Sequence, residues 1–600
     1  MLRMVRGVEG ARGREGKGEG EVGVHEQEQE ITKVNILSID ERQELLNIVN
    51  TLASKHSSSI LSCCAYGSKI SGYARADSDY DILLVLEEYK DLIKYVYMHG
   101  DNRMAASILI VDANALLKDA ERAMLGEFVI GRLLNPYEPL YNVDYLNKAE
   151  VIYKRRVILE ELDELIRINP LALTGELLIP LEYFLFSKLK KRAKIYPHAV
   201  YSYIKTYTGS NAARNIALSK RGFIDALKEL EEEGIIELVM HNDNLYARVL
   251  KPPRLNDTFV HNEFLRGAFA WIVHTYAGRK TLNFFSSEAR SKLKRRKEIK
   301  NMAIPLMLDH PSSLLKVSEG IVIDSSDYIA RIAESLGFNG NYTYTLTSMG
   351  DKHATTMLCS INSNDGRVEK VVIKRYTDIK IAKWIALNLW LLGIGLSYDV
   401  SPYTRMRNEY IGTRRVRELD SSIRTPPILG ISFKNRVMVF KYVDGVPLSK
   451  MIDELMNGKD YSNSNATMHD TLKYVHSYGS TLALVHVNNF VLRDTKPSNV
   501  LISKSNGLCL TDFEQFTTLK SIHDASWDVA CFLYYSLLFT KNYDNARIVI
   551  REFVDGYREH NSNYKEIFNY AADIKYCLPF YPAITLGMIK VVREELLKVI

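Results

Sequence analysis

Apolar positions recur with a helical period in "DERQELLNIVNTLASK" (40–55), and Ser38 is placed to cap that helix, with Glu41 three residues on completing a capping box. Short apolar runs near 60–66, at 80–86 and in "ASILIVD" (106–112) predict three strands of a small sheet. From about 150 the pattern turns helical in "RRVILEELDELIRI" and "LIPLEYFLFSKLKKRAKIY". The stretch "SKRGFIDALKELEEEGIIELVMHNDNLYARVL" (219–250) then predicts a charged helix, a glycine stop and a hairpin, an order that suggests a winged helix. Residues 256–335 read as a helical connector containing the basic run "SKLKRRKEIK" (291–300). Beyond 340, "NYTYTLTSM", "TTMLCSI" and "EKVVIKRY" predict a strand-rich start, followed by a mostly helical remainder.

Composition adds bounds to this picture. Six hundred residues exceed one hydrophobic core, so several domains are expected. Residues 1–36 are rich in Gly, Glu and Arg and too poor in large apolar groups to offset chain entropy, which predicts a disordered tail. A formal charge of +6 does not by itself imply a nucleic-acid partner. The six cysteines form no CxxC pair, which favours buried or free thiols in a reducing, cytoplasmic setting. The most apolar window, "WIALNLWLLGIGL" (384–396), is too short to span a bilayer, so no membrane partner is expected. Glutamine is confined to Gln27, Gln29, Gln43 and Gln515, a depletion expected of a heat-adapted chain or of a biased genome.

Candidate chemistry clusters in two places. In "YGSKISGYARADSDYDILLV", Gly67 and Ser68 offer backbone N–H groups to phosphates, because glycine permits close approach. Asp79 and Asp81, two apart in a strand, would present both carboxylates to one divalent metal ion. Asp112, at the end of "ILIVD", is the candidate third carboxylate of a two-metal site. The bland alternative is that these acids solvate a turn and an edge strand. The stretch nevertheless resembles the DNA polymerase β-type nucleotidyltransferase superfamily, in its minimal prokaryotic branch. That resemblance implies transfer of a nucleoside monophosphate from an NTP, with Asp79 and Asp81 on metal and Asp112 helping to activate the acceptor hydroxyl.

The second cluster lies in "FVLRDTKPSNVLISKSNGLCLTDFEQF" (490–516). A carboxylate (Asp494), a lysine (Lys496), an amide (Asn499) and, after a hairpin-like pair of strands, Asp512 match the parts of a phosphoryl-transfer loop. This resembles protein-kinase-like enzymes, in particular the small atypical RIO and KEOPS-associated archaeal kinases. The resemblance implies that Asp494 positions the acceptor, Lys496 neutralises the transferred phosphoryl group, and Asn499 and Asp512 hold Mg²⁺. It further implies that Lys374 reaches the α- and β-phosphates, Glu409 pairs with it, Gly350 belongs to the phosphate loop, and Asp528 anchors the catalytic loop. The chain departs from the usual pattern at Leu492, in place of histidine, and at Glu514, in place of glycine.

The expectation is therefore a multidomain α+β protein in four ordered parts. A small α/β nucleotidyltransferase domain spans 37–150, a helical and winged-helix-like domain 151–255, a connector 256–335, and a bilobal kinase-like domain 336–600. Both active ends would use Mg²⁺ (or Mn²⁺) with ATP or another NTP on a macromolecular acceptor, either tRNA or protein. A small-molecule modifying enzyme of the aminoglycoside type and a regulatory pseudokinase are the open alternatives.

Overall fold

The computed structural model describes residues 36–56, 58–76, 78–100, 104–196, 199–242, 244–254, 266–270, 272–273, 302, 304–338, 342–349, 355–378, 385, 388, 391–457, 468–503, 507–581 and 583–600. Residues 1–35 of the expected tail, the run 291–300 and Gly350 lie outside these residues. Two compact units divide the chain: one holds residues up to Arg167 together with Gly175–Lys316, the other Ile168–Thr174 together with Val317–Ile600.

The first unit begins with α1 (Ile39–His56), whose start is fixed as the sequence predicts. Ser38 N donates to Glu41 Oε2 at 2.8 Å and Glu41 N donates to Ser38 Oγ at 3.2 Å, a reciprocal cap. A five-stranded sheet follows: β1 (Ile60–Tyr66), β2 (Tyr80–Leu86), β3 (Ile93–His99), β4 (Ala105–Asp112) and β5 (Tyr137–Tyr141), in the order β3-β4-β2-β1-β5. Strands β2 and β4 run parallel; the other pairs are antiparallel. Leu45, Ile48 and Val49 of α1 share one core cluster with Ala65, Ile82, Leu84, Ile108 and Ile110. Because strand side chains alternate, Asp81 stands on the opposite face of the sheet from that cluster.

Helix α2 (Ala113–Arg122) leaves β4, and α3 (Val143–Ile168) leaves β5. The expected domain boundary at 150 falls inside α3, a continuous 26-residue helix. Beyond it come β6 (Leu177–Pro180), α4 (Leu181–Ile195), α5 (Ala199–Thr206), α6 (Ala212–Glu232) and the hairpin β7 (Ile236–His241)–β8 (Asn244–Val249). The helix, glycine stop and hairpin are all present, with Gly234 at φ 64, where a Cβ would be strained.

A buried charge network ties α3 and α4 to the segment between α2 and β5. Glu127, 1% exposed, accepts from Lys188 (2.8 Å), Arg156 (2.8 Å), Arg192 (3.1 Å) and Arg266 (3.3 Å). Burial alone would raise its pKa, but the four cations outweigh burial and hold the carboxyl far below the usual range. Glu160 shares three of these cations.

In the second unit a six-stranded sheet is built from β9 (Ile321–Val322), β10 (Tyr342–Ser348), β11 (Thr356–Ser363), β12 (Val368–Arg375), β13 (Ile428–Ser432) and β14 (Val437–Lys441), in the order β9-β13-β14-β12-β11-β10. Helix α7 (Tyr328–Ser335) packs on this sheet, and α8 (Pro402–Leu419) lies between β12 and β13 in sequence. A helical lobe follows, built on α9 (Leu448–Met456), α10 (Met468–Val487), α11 (Ile522–Ser536), α12 (Tyr543–Arg558), α13 (Tyr564–Ala571) and α14 (Leu586–Leu597). These six helices contribute to one hydrophobic cluster. Between α10 and α11 lie the short strands β15 (Phe490–Val491), β16 (Val500–Ser503), β17 (Gly507–Leu510) and β18 (Thr517–Thr518). All six cysteines are buried free thiols, and among the described residues no helix is long and apolar enough to cross a membrane.

Replacing Glu127 with Ala leaves Glu160 to serve three of these cations and takes the paired carboxylate from Arg192. The expected cost to the first unit is about 3–5 kcal/mol. Urea denaturation followed by tyrosine fluorescence checks it; an unchanged midpoint contradicts the role given to Glu127.

Candidate functional site

In the first unit, Gly67 opens a single helical turn, Ser68–Ser71, at φ 82 and ψ −155. A Cβ at this position would collide with the Asp81 carboxylate, so the position requires glycine for its conformation and for the close approach of Asp81. Asp81 lies opposite Tyr66 on β1 and Ser107 on β4, and Ser107 lies opposite Tyr97 on β3. Asp79, two residues before Asp81, is half-buried just ahead of β2.

Asp112 does not join them. The parallel register pairs it with Leu86, five residues beyond the level of Asp81, or about 17 Å along the strand. It caps α2 instead, accepting from Ala115 N at 3.1 Å and from Tyr89 N at 3.0 Å. The β4 residue level with Asp81 is Ser107.

Two features near Asp81 carried no sequence signal. Arg132, from the turn Ile130–Leu134, donates to Tyr95 Oη at 2.8 Å and to Tyr66 Oη at 3.4 Å. The Ser68–Ser71 turn is tied to the start of α6: Arg214 Nη2 donates to Ile70 O (2.8 Å) and Asn215 Nδ2 to Ser71 O (2.9 Å). Helix α6 therefore fixes the segment that carries Gly67 and Ser68.

In the second unit, Lys374 sits near the end of β12, where strand pairing with β11 and β14 fixes its backbone. Its ammonium, 7% exposed, donates to Glu409 Oε2 of α8 at 2.6 Å and to Asp512 Oδ1 at 2.8 Å, with Glu514 Oε1 at 3.2 Å. Burial alone would lower the lysine's pKa; Asp512, Glu409 and Glu514 together hold it well above the usual range. Burial pushes Glu409 up to about 7, a rise that Lys374 opposes and that Asp512 and Glu514 reinforce. Helix α8 approaches the Asp512 loop closely because Gly412 lacks a side chain: a Cβ there would lie 2.7 Å from Phe513 Cβ.

The loop from Leu492 to Asn499 is held from below by α11. Asp528, fully buried, accepts from Leu492 N (2.8 Å), Arg493 N (2.6 Å) and His486 Nε2 (3.1 Å), while Thr495 Oγ1 donates to Asp528 O at 2.6 Å. Arg493, at φ 62, is further tied by its guanidinium to Asp524 (2.8 Å) and Ser397 O (2.6 Å). Lys496 Nζ lies 2.7 Å from Asp494 Oδ1 and 2.9 Å from Oδ2. Asn499 Nδ2 donates to Asp494 O at 2.8 Å, which leaves the amide oxygen as its ligand atom. Strands β16 and β17 then return the chain to Asp512, itself at φ 64, and Thr511 N bonds Asn499 O at 2.8 Å. The donor set of carboxylate and amide oxygens suits Mg²⁺, a hard cation.

The structure thus gathers Lys374, Glu409 and Asp512 about one ammonium, and Asp494, Lys496 and Asn499 on one anchored loop. Residues 418–559 match the sequence model of the family described as "Protein kinase domain". The chain carries a protein kinase domain there. A stretch of 112 residues is 32% identical to protein kinase kin1 of Schizosaccharomyces pombe, covering 18% of this chain and 12% of that protein. A stretch of 122 residues is 31% identical to the serine/threonine-protein kinase PrkC of Bacillus subtilis, covering 19% of this chain and 17% of that protein. This chain therefore matches less than a fifth of the length of either relative. The family match starts at Glu418, so Lys374 and Glu409 lie ahead of the matched stretch and are joined to Asp512 by geometry alone.

Asp528→Ala removes the acceptor of two buried backbone N–H groups. Loss of about 3 kcal/mol is expected from such charged hydrogen bonds, with faster amide exchange at Leu492 and Arg493. Thermal melting with hydrogen-exchange mass spectrometry reads both, and unchanged protection of this loop contradicts the anchoring role.

Proposed function

We propose that the second unit binds ATP with Mg²⁺ and transfers the γ-phosphoryl group to a hydroxyl of a macromolecular acceptor, a protein in the first instance. The observation that carries this reading is the Asp494–Lys496–Asn499 loop hung on Asp528, in the same unit as the Lys374–Glu409 pair and Asp512. Lys374 holds the α- and β-phosphates, and Glu409 orients its ammonium. Asp494 accepts the hydroxyl proton as the oxygen attacks phosphorus, and Lys496 lowers the charge on the equatorial oxygens. Asp512 and the Asn499 amide oxygen hold Mg²⁺, which supplies charge neutralisation at the phosphates. The serine/threonine kinase named among the relatives supports a protein hydroxyl as acceptor; tRNA is the other macromolecular candidate.

Only residues 513–521 separate Asp512 from α11. A long activation segment between the metal-binding Asp and the following helices, as protein kinases carry, has no room there. This favours a small atypical kinase of the RIO or KEOPS-associated type over one that docks peptide on such a segment.

A second reading concerns the first unit: nucleotidyl transfer from an NTP at Gly67, Ser68, Asp79 and Asp81. It is favoured by the obligatory glycine against Asp81 and by the Ser68–Ser71 turn fixed through α6. Asp112 is not part of this proposal.

Labelled ATP separates the two. From γ-labelled ATP, label is expected on protein, and Asp494→Asn should reduce its rate at least a hundredfold. Absence of transfer by wild-type protein that binds ATP tightly contradicts the kinase proposal and supports a regulatory pseudokinase. From α-labelled ATP, transfer is expected to vanish in Asp79→Ala/Asp81→Ala; label that persists there contradicts nucleotidyl transfer at this site.

A further inference from the structure

Glu514 occupies the position after Asp512-Phe513, and its carboxylate is shared between two cations. Arg405 Nη1 of α8 lies 2.7 Å from Glu514 Oε2, and Lys374 Nζ lies 3.2 Å from Oε1. Arg405 is fully buried, and its other terminal nitrogen donates to Thr377 O at 2.8 Å. Asn408 Nδ2 lies 3.3 Å from Glu514 O and bonds Asp399 Oδ2 at 2.7 Å, adding a neutral tie between α8 and the same loop. The ionisable set is Lys374 and Arg405 against Glu409, Asp512 and Glu514.

Arg405 and Glu409 are one helical turn apart on α8, the spacing at which an arginine and a glutamate pair on a single helix face. A fully buried guanidinium does not stay unpaired, because its desolvation must be offset by a partner charge. Without Glu514, the nearest carboxylate on its own helix is Glu409, and Glu409 is the partner that orients Lys374.

We propose that Glu514 is a positioning residue for phosphoryl transfer: it takes up the charge of Arg405, so that Glu409 remains paired with Lys374. The inference rests on the kinase reading above. Glu514 touches neither nucleotide nor acceptor in this role. It acts through Arg405 and through the lysine, and it joins α8 to the loop carrying Asp512 without any phosphorylated side chain. The site is then assembled by residues of the unit itself, in keeping with the short connection after Asp512.

The test is a double-mutant cycle on the full chain. It uses Glu514→Gly, Arg405→Met and the pair, with Glu514→Asp as the conservative variant. Two quantities are read: the dissociation constant of Mg²⁺ with a non-hydrolysable fluorescent ATP analogue, and kcat and KM for transfer of γ-label. Circular dichroism and melting temperature confirm that each variant is folded. Glu514→Gly is expected to weaken nucleotide binding about tenfold or more and to lower kcat/KM by a larger factor. Glu514→Asp should recover most of both. Adding Arg405→Met to Glu514→Gly should also recover at least tenfold, because Glu409 is no longer drawn away. A cycle in which the two substitutions simply multiply overturns the proposal, as does Glu514→Gly with wild-type binding and turnover. Wild-type protein that binds the analogue but transfers no label overturns the kinase reading alone, since the binding arm still decides the role of Glu514. Wild-type protein that binds no nucleotide overturns both.

Discussion

One buried carboxylate sets the geometry on which the second unit depends. Asp528, midway along α11, accepts from the backbone of Leu492 and Arg493 and from His486, and its own carbonyl accepts from Thr495. Those bonds fix where the chain emerges before Asp494, and hence where Asp494, Lys496 and Asn499 point. An anionic group at 0% exposure is stable only with such a full set of donors. The left-handed backbone at Arg493 is held by Asp528 together with Asp524 and Ser397, which is how strain of this kind persists at a site.

The opposite wall is governed by electrostatics of another kind. Lys374, Arg405, Glu409, Asp512 and Glu514 crowd into one region, and the carboxylates outnumber the cations by one. Asp512 is the most exposed of the three acids, and the proposed function gives it the metal ion. Glu409 and Glu514 are almost fully enclosed and keep their assigned partners. In the proposed function the division of labour follows burial: the enclosed charges position, and the more exposed one binds.

How far the sequence foretold this depended on whether the parts were contiguous. Asp494, Lys496, Asn499 and Asp512 lie within nineteen residues and were legible, because a short loop and a hairpin leave few ways to arrange them. The Ser38–Glu41 cap was legible for the same reason. Strand β3 ("IKYVYMH") passed unseen, as its half-exposed residues lack strict apolar/polar alternation, and β5 passed unseen with it. Asp112 was misplaced because a sequence shows that a strand exists and not its register. Parallel pairing of β4 with β2 carried Asp112 to the far end of the sheet and left Ser107 level with Asp81. The boundary expected at 150 lies inside α3, which keeps one helical period through it. Glu514 was visible as a departure from glycine, but its meaning required Arg405, more than a hundred residues away.

The central claim is that Lys374 and Asp512 form, with the loop anchored by Asp528, a site for Mg²⁺ and ATP. Calorimetric titration of a non-hydrolysable ATP analogue, with and without Mg²⁺, into wild-type protein and Asp512→Asn tests it most directly. The account predicts that Mg²⁺ tightens binding to the wild type at least tenfold and that Asp512→Asn abolishes this gain while retaining weak metal-free binding. Equal dependence on Mg²⁺ in both proteins, or no binding to either, would contradict it.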